Sequence, residues 1–70
     1  MLFEIVGPVF KCADDEGIFF SRLYELPGYE NVIGKGRNLY LNFSANPNEA
    51  VLHQLKEICN NWHTTFKPVN

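Results

Sequence analysis

The sequence predicts an α+β two-layer sandwich, with two helices on one face of a four-stranded antiparallel sheet. Three observations lead there. Val51, Leu55, Ile58 and Trp62 recur at spacings of four, three and four, Leu52 and Cys59 widen the same stripe, and Glu49, His53, Lys56, Glu57 and Asn60 fill the opposite side. Such a helix needs an apolar surface beneath it. Residues 29–33 and 38–43 flank Gly34-Lys35-Gly36-Arg37 and read as a hairpin closed by a short glycine-bearing loop. A β-prone run lies near each end of the chain, so the hairpin is bracketed by two strands and two connections long enough to be helices.

Residues 2–6 are apolar except for Glu4 and form the first predicted strand, which Gly7-Pro8 interrupts because proline donates nothing to a sheet ladder. Val9-Phe10-Lys11-Cys12 is extended, and the acidic Asp14-Asp15-Glu16 suits the positive end of a helix dipole. Residues 16–26 fit two patterns. As a helix they place Phe19, Phe20, Leu23 and Leu26 on one face and Ser21, Arg22 and Glu25 toward solvent; as a strand they put Arg22 in the middle of an apolar row. The helix is favoured, and Pro27-Gly28 ends it. The alternative is a β-meander with residues 16–26 as a strand, turning at Asp15-Glu16-Gly17, and one C-terminal helix.

In the second hairpin arm Leu39, Leu41 and Phe43 alternate with Tyr40, Asn42 and Ser44, which gives one core face and one amphipathic face. Asn46-Pro47-Asn48-Glu49 then has the form of a helix start, with Asn46 as side-chain cap, proline where no amide is needed and a carboxylate three residues after the cap. Residues 64–69 make a last strand that Pro68 confines to a sheet edge. The resulting order, β-α-β-β-α-β, resembles the ferredoxin-like sandwich, whose usual strand order 4-1-3-2 places the proline-bearing strand and the short 29–33 strand at the edges. The resemblance spans the whole chain and rests on element order, a property shared by many unrelated functions.

Seventy residues make one domain, residues 1–70, and a chain this short buries only about 60% of the surface its unfolded form exposes. Six basic and eight acidic side chains leave a net charge of -2, which supplies no general attraction to nucleic acid or anionic lipid. The first ten residues lack the basic region and cleavage pattern of a secretion signal, and no apolar run approaches the roughly 20 residues of a membrane helix. The expected location is cytoplasmic. Cys12 and Cys59 are then two reduced thiols or one bridge.

Cys12, Cys59 and His63 are zinc-competent, and the expected topology brings Cys12 toward the other two, with Asp14 or Asp15 nearby. Against a metal site, Cys59 belongs to the apolar stripe, His63 suits a helix C-terminus, and the paired C-x-x-C of heavy-metal-binding domains of this fold has only one cysteine here, in Cys12-Ala13-Asp14-Asp15. His53, between Glu49 and Glu57, has the spacing of a solvated helix face and no assignable nucleophile. The acidic run 14–16 lacks the spacing of a calcium loop. Lys35 and Arg37 with Tyr40 suggest a single-stranded nucleic-acid surface, yet residues 37–43 depart from the RNP1 pattern, since Phe43 points away from Tyr40. The expected function is therefore a small non-enzymatic interaction or regulatory module without a cofactor. It docks to another protein or to a copy of itself through an open sheet face or an edge strand, with Tyr40, Asn42, Lys35 and Arg37 as the candidate surface. A metal or small-ligand module using Cys12, Cys59 and His63 is the second reading.

Overall fold

The structure, a computed structural model, describes residues 1–69. Its elements are β1 (Leu2–Ile5), α1 (Ala13–Tyr24), β2 (Tyr29–Lys35), β3 (Asn38–Phe43), α2 (Glu49–Asn61) and β4 (Phe66–Val69). The four strands form one sheet in the order β2-β3-β1-β4, every neighbouring pair antiparallel. This is the ferredoxin-like arrangement, and residues 16–26 contribute to a helix; the β-meander alternative does not occur.

The inward rows of the sheet and the apolar stripes of the helices meet in one core. Phe3 and Ile5 from β1 and Leu41 and Phe43 from β3 lie under Phe19, Leu23 and Leu26 of the first helical connection and Val51, Leu55, Ile58 and Cys59 of α2. Phe19 is fully buried and has three aromatic neighbours, Phe10, Phe20 and Trp62, with ring centroids 5.3, 5.7 and 5.1 Å away. The Phe20 and Trp62 contacts are edge-on and the Phe10 contact is tilted, and aromatic pairs so arranged add to the stabilisation from the area they bury.

Several boundaries differ from the sequence reading, each for a local reason. The helix cap is Asn48, not Asn46: the Asn48 side chain accepts a hydrogen bond from the Val51 amide at 3.0 Å, and the backbone of Asn48 is extended. Pro47 thus precedes the cap. Gly34 and Lys35 belong to β2, and the turn narrows to Gly36-Arg37, because only Gly36, at φ +62°, takes the left-handed conformation that the first central position of a type II′ turn requires. β2 also carries a bulge between Tyr29 and Asn31, so Glu30 is an extra residue with no partner of its own on β3.

At the other end, β1 stops at Ile5 and β4 starts at Phe66. The corner between them is held by side chains and backbone together: the Val6 amide donates to the Thr65 carbonyl at 3.1 Å, and the buried Thr64 hydroxyl donates to the Val6 carbonyl. Before that corner, α2 ends at Asn61 with Trp62 as its C-cap. The His63 amide then donates to the Asn60 carbonyl at 3.1 Å and the Thr64 amide to the Cys59 carbonyl at 2.9 Å. These two bonds form a Schellman motif, and His63, at φ +55°, occupies the left-handed position usually given to glycine.

Candidate functional site

Both helices lie over one side of the sheet, so the other side is open. Strand alternation decides which residues reach it. Registers across the sheet define two complete rows on that face. Asn31, Asn42, Leu2 and Val69 run side by side from β2 to β4, and next to them run Ile33, Tyr40, Glu4 and Lys67. Lys35 and Asn38 begin a third row. Leu2, Asn31, Ile33, Lys35, Tyr40 and Asn42 line a shallow depression on the β2–β3 half, and Ile33 keeps 54% of its surface exposed. Of the residues expected from sequence, Tyr40, Asn42 and Lys35 line this depression, while Arg37 stands in the adjoining turn, exposed.

The centre of the face is polar and satisfied. One oxygen of Glu4 accepts the Tyr40 hydroxyl at 2.7 Å and the Asn38 side-chain amide at 3.1 Å; the other lies 3.3 Å from the Lys67 ammonium. Asn38 is fixed in turn, because its carbonyl oxygen accepts the Gly7 amide at 3.0 Å. Lys35 extends over the Tyr40 ring, its nitrogen 5.9 Å from the centroid. The Tyr40 hydrogen bond and then Lys67 hold the Glu4 carboxyl below its ordinary range, while the Glu4 carboxylate, followed by partial burial, holds the Tyr40 phenol above its own. Both shifts run away from neutrality, whereas a general acid or base works best when it titrates near the operating pH. The pair is thus built to stay as carboxylate and phenol across the physiological range.

A pH dependence follows. Because the folded Glu4 carboxyl titrates below its unfolded value of about 4.5, its contribution is fully present above that value and is lost as pH falls through the folded one. Thermal unfolding followed between about pH 6 and pH 2 should show Glu4→Gln with a shallower acid decline than wild type. Parallel curves would mean that the Glu4 network does not contribute to the acid limb.

The metal candidates do not converge. Cys59 is 1% exposed, and its burial pushes the thiol up to about 11, far from the thiolate a metal needs. Cys12 is exposed, and the two thiols are unbridged. Cys59 borders a depression with Lys56, Thr64 and Phe66, whereas His63 borders another with Val9, Lys11 and Trp62. Among the described residues no three His, Cys, Asp or Glu side chains are grouped to hold an ion. His53 is a surface residue, 3.2 Å from Glu57.

Asp15 has a role that the acidic run concealed. Its two oxygens accept the Trp62 indole N–H at 3.0 Å and the Lys11 amide at 3.1 Å, joining the start of α1 to the end of α2. The sequence reading also passed over Glu4, Asn38, Lys67 and Ile33. One signal was present: Leu2 and Glu4 alternate with Phe3 and Ile5, as residues on the outer face of a one-sided sheet do. No helix among the described residues is long and apolar enough to cross a membrane. Comparisons with protein-family models, with curated protein sequences and with solved structures find no match.

Proposed function

We propose that the protein is a small non-enzymatic docking module that binds another protein through its open sheet face. The observation that carries this reading is the depression around Tyr40, where exposed Ile33 and half-buried Leu2 lie beside a side-chain framework already fixed by Glu4, Asn38 and Lys67. A pre-ordered surface loses little freedom on binding. The strand edges suit a partner less well. β2 is broken by the bulge at Glu30, and β4 has four residues, including Lys67 and Pro68, which are devices that protect edges from pairing.

A foreign chain fits this face better than a second copy. In a twofold pairing of open faces each patch meets itself, so Lys35 would face the same cationic patch and the only carboxylate in the two complete rows, Glu4, is already engaged. The test compares wild type, Ile33→Asp on the open face and Ile18→Asp on the exposed side of α1 as cross-linked baits in lysate of the source cells. A protein held by wild type and Ile18→Asp and lost from Ile33→Asp is the expected result. Equal capture by all three baits, or a dimer in solution that Ile33→Asp dissolves, would overturn the reading.

A further inference from the structure

The charge on the open face is arranged asymmetrically, and the asymmetry specifies what it takes. α1 and α2 carry Asp14, Asp15, Glu16, Glu49 and Glu57 against Arg22 and Lys56. The open side instead has Lys35 and Lys67, with Arg37 at the end of the hairpin, and its carboxylate, Glu4, is shared among Tyr40, Asn38 and Lys67. Lys35 makes no ion pair among the described residues; its neighbour is the Tyr40 ring. The one charged side chain lining the depression, Lys35, is therefore a cation with no ion partner among the described residues, while the exposed Glu30 stands at the bulge before Asn31.

Spacing adds a second constraint. Ile33 and Lys35 are two apart on β2, so they face the same way, about 7 Å from each other along the strand. An extended chain lying on this face presents its own side chains at that same interval. Resting on the docking reading above, we propose that the occupant is an acidic segment of a partner protein, extended when bound, in which an apolar residue and a carboxylate stand two positions apart. The apolar residue covers Ile33, Leu2 and the Tyr40 ring, the carboxylate meets Lys35, and Asn31 and Asn42 offer amides to the segment's backbone. A nucleic-acid strand shares the negative charge but fits less well. Tyr40 is the one aromatic ring in the rows, Phe43 is buried against Phe3 in the core, and the Glu4 carboxylate at the centre repels phosphates.

The probe is a short acetylated peptide carrying valine and glutamate alternately at every second position with serine between, so that both point to one side of an extended chain. Titrated into isotope-labelled protein, it is expected to shift the amide signals of β2 and β3 together with the Tyr40 ring. Binding should weaken roughly threefold or more between about 50 and 300 mM salt and by roughly three- to fivefold in Lys35→Glu. Its counterpart with glutamine for glutamate should bind more weakly, and the lysine counterpart should not bind. Equal binding of the glutamate and glutamine peptides would overturn the acidic specificity while leaving the docking reading to the Ile33→Asp comparison, which fails on separate grounds. Absence of shifts with the acidic peptide, or tighter binding of an oligothymidylate to the same signals, would also overturn the proposal.

Discussion

Phe19→Ala is expected to abolish, or nearly abolish, the cooperative unfolding transition. The side chain is fully buried under the helical layer, and its ring has the rings of Phe10, Phe20 and Trp62 around it. Truncating a buried phenylalanine costs about 3–5 kcal/mol, the lost transfer energy being joined by a cavity that neighbours fill only in part. A domain of this length is expected to have roughly 4–10 kcal/mol in total, so one side chain accounts for a large share. Urea unfolding followed by far-UV circular dichroism measures it: the midpoint should fall by about half or more, or the native baseline should disappear. A midpoint displaced by only a tenth would mean that the core reorganises around the gap.

The second large effect is expected at Asp15, a residue that looks dispensable in the sequence. Asp15→Ala removes the acceptor of the Trp62 indole N–H and of the Lys11 amide in one step. Leaving the partly buried indole N–H without its partner costs about 1–3 kcal/mol, whereas the exposed Lys11 amide turns to water, so a loss of about 2 kcal/mol is expected. Asp15→Asn keeps an oxygen that can accept the indole proton and should cost less. Trp62 is the only tryptophan, which makes its emission a local reporter. In Asp15→Ala the emission should move toward that of the unfolded chain before global unfolding, while Asp15→Asn stays close to wild type. Equal destabilisation by both variants would assign the effect to lost charge at the helix N-terminus and not to the indole bond.

These residues also show what was legible in the chain. α2 was legible because its stripe from Val51 to Cys59 is set by the helix period alone, and burial follows that stripe. Gly34 and Gly36 were not distinguishable, since a glycine in a strand and one at positive φ look identical until the register is known. Asn46 and Asn48 posed the same problem for the cap. Cys59 and His63 are set apart by a detail of helix termination: they are four apart in sequence, but α2 ends between them, and His63, with its left-handed backbone, borders Val9 and Lys11 while Cys59 borders Lys56 and Phe66. Glu4 was hidden for a different reason. Its partners Asn38, Tyr40 and Lys67 lie more than thirty residues away, and only the pairing of β1 with both β3 and β4 brings them to it. Local pattern reaches the elements and the core; a site assembled across strands requires the register.

The position of β1 between β3 and β4 has a consequence for how the chain comes together in time. The first of the four strands is an inner strand of the finished sheet, and one of its two neighbours is the last of the four. Until residues 66–69 arrive, the backbone groups of Leu2 and Glu4 on the β4 side have no partners, and no local hairpin can occupy that flank in advance. Closure of the sheet is therefore a late event with a long loop to close, which slows folding relative to helical proteins of equal size. A growing chain on the ribosome would hold an unfinished, pairing-competent strand until residues 66–69 emerge.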